Sequence, residues 1–254
     1  MNKIKEFLKV LIYPIILLLI QFGLIIIFTL VFNINNNNEI GSLEYTEQLS
    51  IFLSSNKIWI SLLSLILLIP LFRKKCTINN IKCNIKHVLL LIGIGASFSL
   101  TYNLILLNIN KIIYFTNIFD HSDINLLSTL LATSIIGPII EELIFRNIVY
   151  EKFKKVYKPL TSIIITGLLF GIFHGNMIQF IYVFLFNFIL IFVYEKYKSI
   201  YAPIIVHISA NSILLLYLGF IDYSNIYVSV SSLLISVIFL IIFYYLMNKD
   251  KSNG

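Results

Sequence analysis

The sequence predicts an all-α, polytopic bundle of transmembrane helices, and three observations carry that prediction. Hydrophobic residues make up 59% of the 254 positions and charged residues only 12%. Apolar runs long enough to cross a bilayer recur along the whole chain. The basic residues cluster in alternate connectors, as they do where loops on one side of a membrane retain Lys and Arg. The whole chain, 1–254, therefore reads as a single integral membrane domain.

Eight spans are expected, at about 7–31, 57–72, 87–108, 125–150, 160–174, 177–194, 200–219 and 226–247. The first follows the basic start MNKIKEFLK but is too long for a signal-peptide core, and no small-x-small cleavage site follows it, so it is read as an uncleaved anchor. The asparagine-rich NINNNNEIGS after it is expected to be a flexible outer tether. The fifth span is the shortest and the weakest of the eight.

Charge fixes the orientation. Lys3, Lys5 and Lys9 precede the first span, Arg73, Lys74, Lys75, Lys82 and Lys86 join the second to the third, and Lys152, Lys154, Lys155 and Lys158 join the fourth to the fifth. With Lys196, Lys198, Lys249 and Lys251, that side holds 16 of the 19 basic residues, which places both termini in the cytoplasm. Opposite lie Lys57, Lys111, Glu39, Glu44, Glu47, Asp120, Asp123 and Asp222. The net charge of +7 thus reports membrane orientation and calls for no nucleic-acid partner. Cys76 and Cys83 stand in a lysine-rich connector without a CxxC neighbour and are read as reduced thiols with no metal or redox role.

Five ionisable residues remain inside the spans: Glu141, Glu142, Arg146, His174 and His207. Each acid or base at a helix centre costs about 2.5–3.5 kcal/mol on insertion scales, so their presence points to function. Glu142 and Arg146 are four apart, share a helix face and read as an ion pair. Glu141, rotated by about 100°, is left over. His207 and Asn211 likewise share a face of the seventh span.

Counted at about 1.5 Å per residue from the cytoplasmic lysines, Glu141 lies about 21 Å deep, His174 about 24 Å, Asn211 about 20 Å and His207 about 14 Å. Three helices thus bring polar groups to a similar layer, with His207 shallower. Such a layer suits either of two chemistries. A glutamate and a histidine can activate a water while a second histidine and an amide donate to an oxyanion. Alternatively, Glu141, His174 and His207 form a His₂Glu zinc set with an open position for water. Both end in amide hydrolysis.

The motifs EELIFR at 141–146, FGIFH at 170–174 and HISAN at 207–211, each inside a span and in this order, resemble those of the CPBP family of intramembrane proteases. This family, also called the Abi or CAAX-protease family, includes type II CAAX prenyl endopeptidases and bacterial bacteriocin-immunity relatives. The resemblance covers about residues 125–219 and implies a metalloprotease-like endopeptidase of the cell membrane. It implies Glu141 as the water-activating base assisted by His174, and His207 and Asn211 as oxyanion donors, or His207 as a metal ligand. Glu142 and Arg146 fill the remaining motif positions. The expected partners are the bilayer and a membrane-associated protein or peptide substrate. The Ile-, Asn- and Lys-rich composition suggests an AT-rich bacterial genome, which argues against a prenylated CAAX substrate. Two rivals stay open: a non-catalytic immunity or scaffold protein of the same family, and an ion-coupled transporter. Gly137-Pro138 is expected to bend the fourth span, Gly175 to end the fifth, most aromatic residues to face lipid, and His87 and His121 to be solvated.

Overall fold

The computed structural model describes residues 3–36, 39–72, 84–113, 126–221 and 225–250, with backbone only at 110–113, 126, 218 and 219. Cys76, Cys83, Arg73, Lys74, Lys75, Lys82, Asp120, His121, Asp123, Asp222 and Lys251 lie outside the described residues, as does the side chain of Lys111. The described residues contain helices and no strand.

In chain order these are α1 (Lys3–Asn35), α2 (Leu43–Ser55), α3 (Lys57–Phe72), α4 (Ile85–Ile113), α5 (126–154), α6 (Pro159–Ile172), α7 (Met177–Tyr197), α8 (Tyr201–Phe220) and α9 (Ile226–Lys249). Local chemistry marks their starts. Ser42 Oγ accepts from the Tyr45 N–H, Asn176 Oδ1 from Ile178 and Gln179, and Asn225 Oδ1 from Tyr227. Pro159 opens α6, where its missing N–H costs nothing. Gly175, at φ +66°, turns the chain from α6 into α7.

The chain is a polytopic membrane protein, but eight full-length spans do not emerge. Among the described residues, five helices are long and apolar enough to cross a membrane, and six if α2 and α3, bent by 53° at Asn56, form one broken span. The 14 residues of α6 reach only about 21 Å, short of a hydrocarbon core of about 30 Å. The stretch expected as a tether, 33–42, is helical at its start, where α1 runs to Asn35, and the rest of the connector after it forms α2. Apolar residues on α2 give it a face to pack on α1, where Tyr45 and Phe52 meet Phe32.

Helix α5 is the hub. It packs against α1, α3, α6 and α8, while α4 packs against α8 and α9, and α7 bridges α6 and α8. Gly95 on α4 lets the α8 backbone at Val206 approach so closely that any Cβ would collide with it. That contact sets the height of His207.

The basic ends of the helices meet at one end of the bundle. Phe7 stacks on Phe153, Lys152 donates to Tyr13 Oη, Lys154 pairs with Glu195, and Lys196 donates to the Asp250 carbonyl. His87 belongs to this network and is not solvated. Its Nε2 lies 3.0 Å from Asp250 Oδ2 and its ring packs on Tyr197. An acidic C-terminal residue within reach draws the imidazole in from solvent, a partner that lies 163 positions away in the sequence.

Candidate active site

Two π-helical stretches, Leu130–Ile136 and Phe145–Tyr150, flank the α-helical turn pair Gly137–Ile144 that carries both glutamates. The expected bend at Gly137-Pro138 is thus realised as a change of helical register. The Gly137 N–H bonds five residues back to the Ala132 carbonyl. One residue on, Pro138 has no N–H to offer the Thr133 carbonyl. That orphan acceptor is taken by Asn211, whose Nδ2 donates to it across the α5–α8 interface at 2.9 Å. A proline on one helix therefore anchors an amide on another and leaves its second Nδ2 hydrogen free.

Glu142 and Arg146 are both fully buried, with Arg146 Nε 2.9 Å from Glu142 Oε2. The N–H is not aimed along a hydrogen bond, so the attraction is coulombic and is reinforced by the Phe170 ring, 4.5 Å from the guanidinium carbon. The other carboxylate oxygen, Glu142 Oε1, lies 2.7 Å from His207 Nδ1. Since a carboxylate held against a guanidinium accepts, His207 Nδ1 donates. Its Nε2 then faces Glu141 Oε2 at 3.8 Å.

His174 is held in the same manner by a different acceptor. Its Nδ1 donates to the Phe170 carbonyl at 2.8 Å, which turns Nε2 towards Glu141 Oε2 at 4.0 Å. Both rings thus have Nδ1 occupied and Nε2 presented to one carboxylate oxygen, which has no hydrogen-bond partner among the described residues. Glu141 remains 27% exposed, whereas Glu142 is sealed.

A carboxylate oxygen and two imidazole nitrogens are the right donor types for a divalent ion. The spacing is wider than a closed shell: donors to one tetrahedral zinc stand about 3.4 Å apart, and no three His, Cys, Asp or Glu side chains among the described residues are grouped to hold an ion. Two groups bridged by one water stand about 4.5 Å apart, so the separations of 4.0 and 3.8 Å lie between those of the two arrangements.

The three groups lie at the inner end of a 460 Å³ cavity. From there its lining climbs past Asn211, Tyr182 and Ser99 to Asn103, Gln179 and Lys57. Asn211, Tyr182, Asn103, Gln179 and Lys57 lie on the half of their helices away from the basic end, so the cavity extends from the three groups toward the opposite end of the bundle.

The structure brings Glu141, Glu142, Arg146, His174, His207 and Asn211 to one place. The depth count set His207 about 7 Å shallower than Glu141, whereas its Nε2 lies 3.8 Å from Glu141 Oε2; the π stretch at Phe145–Tyr150 holds Glu141 shallower than an α-helical count gives and closes part of that difference. The His207–Glu142 bond and the role of Thr133 were not expected. Pro138 was the only sequence signal for the latter. The expectation that aromatic residues face lipid fails at Phe145, Phe170 and Phe186, which are buried here; Phe170 and Phe186 wall the His207 ring.

Residues 123–213 match the family described as type II CAAX prenyl endopeptidase Rce1-like. Over 83 residues, 33% of this chain, the sequence is 30% identical to a protein of Bacillus subtilis (strain 168) described as "Putative membrane peptidase YdiL". The match spans about a third of that relative, 34% of its length. No solved structure matches the chain.

Proposed function

We propose, for a membrane chain whose residues 123–213 are of the CAAX protease-like family, that it is an intramembrane endopeptidase of the bacterial cell membrane. It would hydrolyse a peptide bond in a membrane-associated protein or peptide. The observation that carries this is the convergence of His174 Nε2 and His207 Nε2 on Glu141 Oε2, at 4.0 and 3.8 Å, at the closed end of a cavity.

In this mechanism a water sits among the three groups. Glu141 takes one of its protons as the water oxygen forms a bond to the scissile carbonyl carbon. His174 Nε2 accepts from the second water hydrogen and so turns the oxygen lone pair to the substrate. The carbonyl electron pair moves to oxygen, and the free Nδ2 hydrogen of Asn211 donates to that oxyanion. His207 supports it when its Nε2 carries a proton, with Nδ1 held by Glu142. Collapse of the intermediate breaks the C–N bond, and the proton on Glu141 passes to the leaving nitrogen. Glu142 and Arg146 do no chemistry in this scheme; they hold His207.

Glu141, His174 and His207 are also the set that would hold a divalent ion, which would supply Lewis acidity to the water and carbonyl. The presentation of two Nε2 atoms to one carboxylate is the observation that favours that alternative. The immunity or scaffold alternative needs no exposed glutamate beside two oriented rings.

The test is purification of Glu141→Gln, His174→Ala and His207→Ala proteins, assayed on membrane peptides. Each should be present at near-normal level and inactive. Full activity in all three would sink the enzyme.

A further inference from the structure

Beside the two histidines, the charged residues lining the cavity are Glu141 at its inner end and Lys57 at its mouth. Lys57 is the first residue of α3 and stands two positions after Ser55, the last residue of α2, so the two helix dipoles act on it in opposite senses and neither holds it. Its ammonium makes no ion pair with the described residues, and it stands on the side of the bundle where Lys and Arg are scarce. The rest of the lining toward that end is neutral and amide-bearing: Gln21, Asn103 and Gln179 carry amides that can pair with the N–H or the C=O of an extended peptide.

The distance from the catalytic groups gives the placement. The Ile58 N–H bonds Ser128 Oγ at 3.3 Å, so Lys57 is level with the start of α5. From Ser128 to Glu141 is at most about 20 Å of helix axis, and somewhat less through the π-helical stretch between them. A lysine side chain reaching inward shortens that to about 14–20 Å. An extended chain covers about 3.3–3.6 Å per residue, so the span accommodates about five residues.

We propose that Lys57 is a specificity-determining residue, which selects peptides carrying a carboxylate about five residues from the bond held at Glu141. This rests on the protease assignment for its register but not for its chemistry. The carboxylate is either a free C-terminus or an Asp or Glu side chain. The substrate enters from the end of the bundle opposite the basic termini, which the lysine distribution makes the external side.

The probes are three fluorescent ten-residue peptides of one apolar sequence: C-terminal acid, C-terminal amide, and the amide with an internal Asp five residues from its centre. Binding is measured by anisotropy to Glu141→Gln protein in nanodiscs, with Lys57 intact, Lys57→Gln or Lys57→Arg. At least one carboxylate peptide should bind about tenfold more tightly than the neutral amide, Lys57→Gln should abolish the difference, and Lys57→Arg should keep it. The favoured acid peptide identifies the source of the carboxylate.

Equal binding of all three peptides, no binding of any, or a preference that survives Lys57→Gln would overturn the proposal. Because the Glu141→Gln protein does not cut, binding is read apart from catalysis. An intact protein that binds the acid peptide but never cleaves it overturns the protease assignment alone. A second measurement places Cys at Ser61, one turn from Lys57 and also in the lining, in protein with Cys76 and Cys83 replaced by Ser. Membrane-impermeant thiol reagents added outside should favour the anionic over the cationic reagent, and Lys57→Gln should reduce that ratio about three- to tenfold. An unchanged ratio would count against Lys57 facing the ligand path.

Discussion

Replacing the buried Glu142–Arg146 pair one partner at a time, and then both together, separates the residues that hold the site from those that work in it. Both side chains are 0% exposed, so either single change strands a charge in the bundle. Breaking a buried pair costs about 3–5 kcal/mol. The two singles should not cost the same. In Glu142→Gln, the stranded Arg146 keeps only the Phe170 ring at 4.5 Å, a contact worth about 2 kcal/mol when desolvated, and its terminal nitrogens have no acceptor among the described residues. In Arg146→Gln, the stranded Glu142 keeps the hydrogen bond from His207 Nδ1 at 2.7 Å, so its carboxylate is still partnered.

Arg146→Gln should therefore fall near 3 kcal/mol, about 6–12 °C of melting temperature, and Glu142→Gln nearer 5 kcal/mol, about 10–20 °C. The double Glu142→Gln, Arg146→Gln protein buries no charge at this position and should recover at least about 2 kcal/mol of the summed loss. The assay is thermal unfolding of the four proteins in one detergent, followed by intrinsic fluorescence, with membrane abundance as a second readout. Additive losses in the double, or a larger loss for Arg146→Gln than for Glu142→Gln, would refute the account. So would a Glu142→Gln protein of normal stability with no activity, since that would make Glu142 the base and Glu141 the spare.

Asn211→Ala removes both the proposed oxyanion donor and the side-chain donor to the Thr133 carbonyl, and should cost about 1–3 kcal/mol and lower kcat about 10²–10³-fold; Pro138→Ala restores an N–H beside that carbonyl and should recover stability in the Asn211→Ala background without recovering kcat. Elemental analysis of anaerobically purified protein should find well under one zinc per chain, with cleavage surviving a chelator, whereas near one zinc lost in Glu141→Gln and His174→Ala would establish the metal set. A reporter fused after Gly254 should read as cytoplasmic and one inserted at 39–42 as external; the reverse would place the cavity mouth on the cytoplasmic side.

Membrane class, chain orientation and most of the site were legible in the sequence because the cost of polarity in hydrocarbon leaves few ionisable residues to consider. Glu142–Arg146 followed from helical spacing alone, since both partners lie on one helix. His174 and Gly175 read as the end of a helix, and the chain does turn there. What linear spacing could not carry was any contact between helices. Nothing in LIFRNIVY announces the π-helical stretch that holds Glu141 shallower than an α-helical count, and nothing in the spacing of either helix announces the bond from His207 to Glu142 or the close approach of α8 at Gly95. His87 looked like a connector residue because its partner, Asp250, is at the other end of the chain.

The sequence by itself thus determined that helices would form, which end carries the positive charge, and which few side chains hold unexplained polarity, because hydropathy, helical period and charge are local properties. Only the tertiary structure decided that Glu141 is the open carboxylate and Glu142 the sealed one, that two rings turn their Nε2 atoms to the same oxygen, and that the cavity above them leads to Lys57. Those outcomes depend on helix register, on where an N–H is missing at Pro138, and on which backbones can touch, and each of these is fixed by packing between segments far apart in the chain.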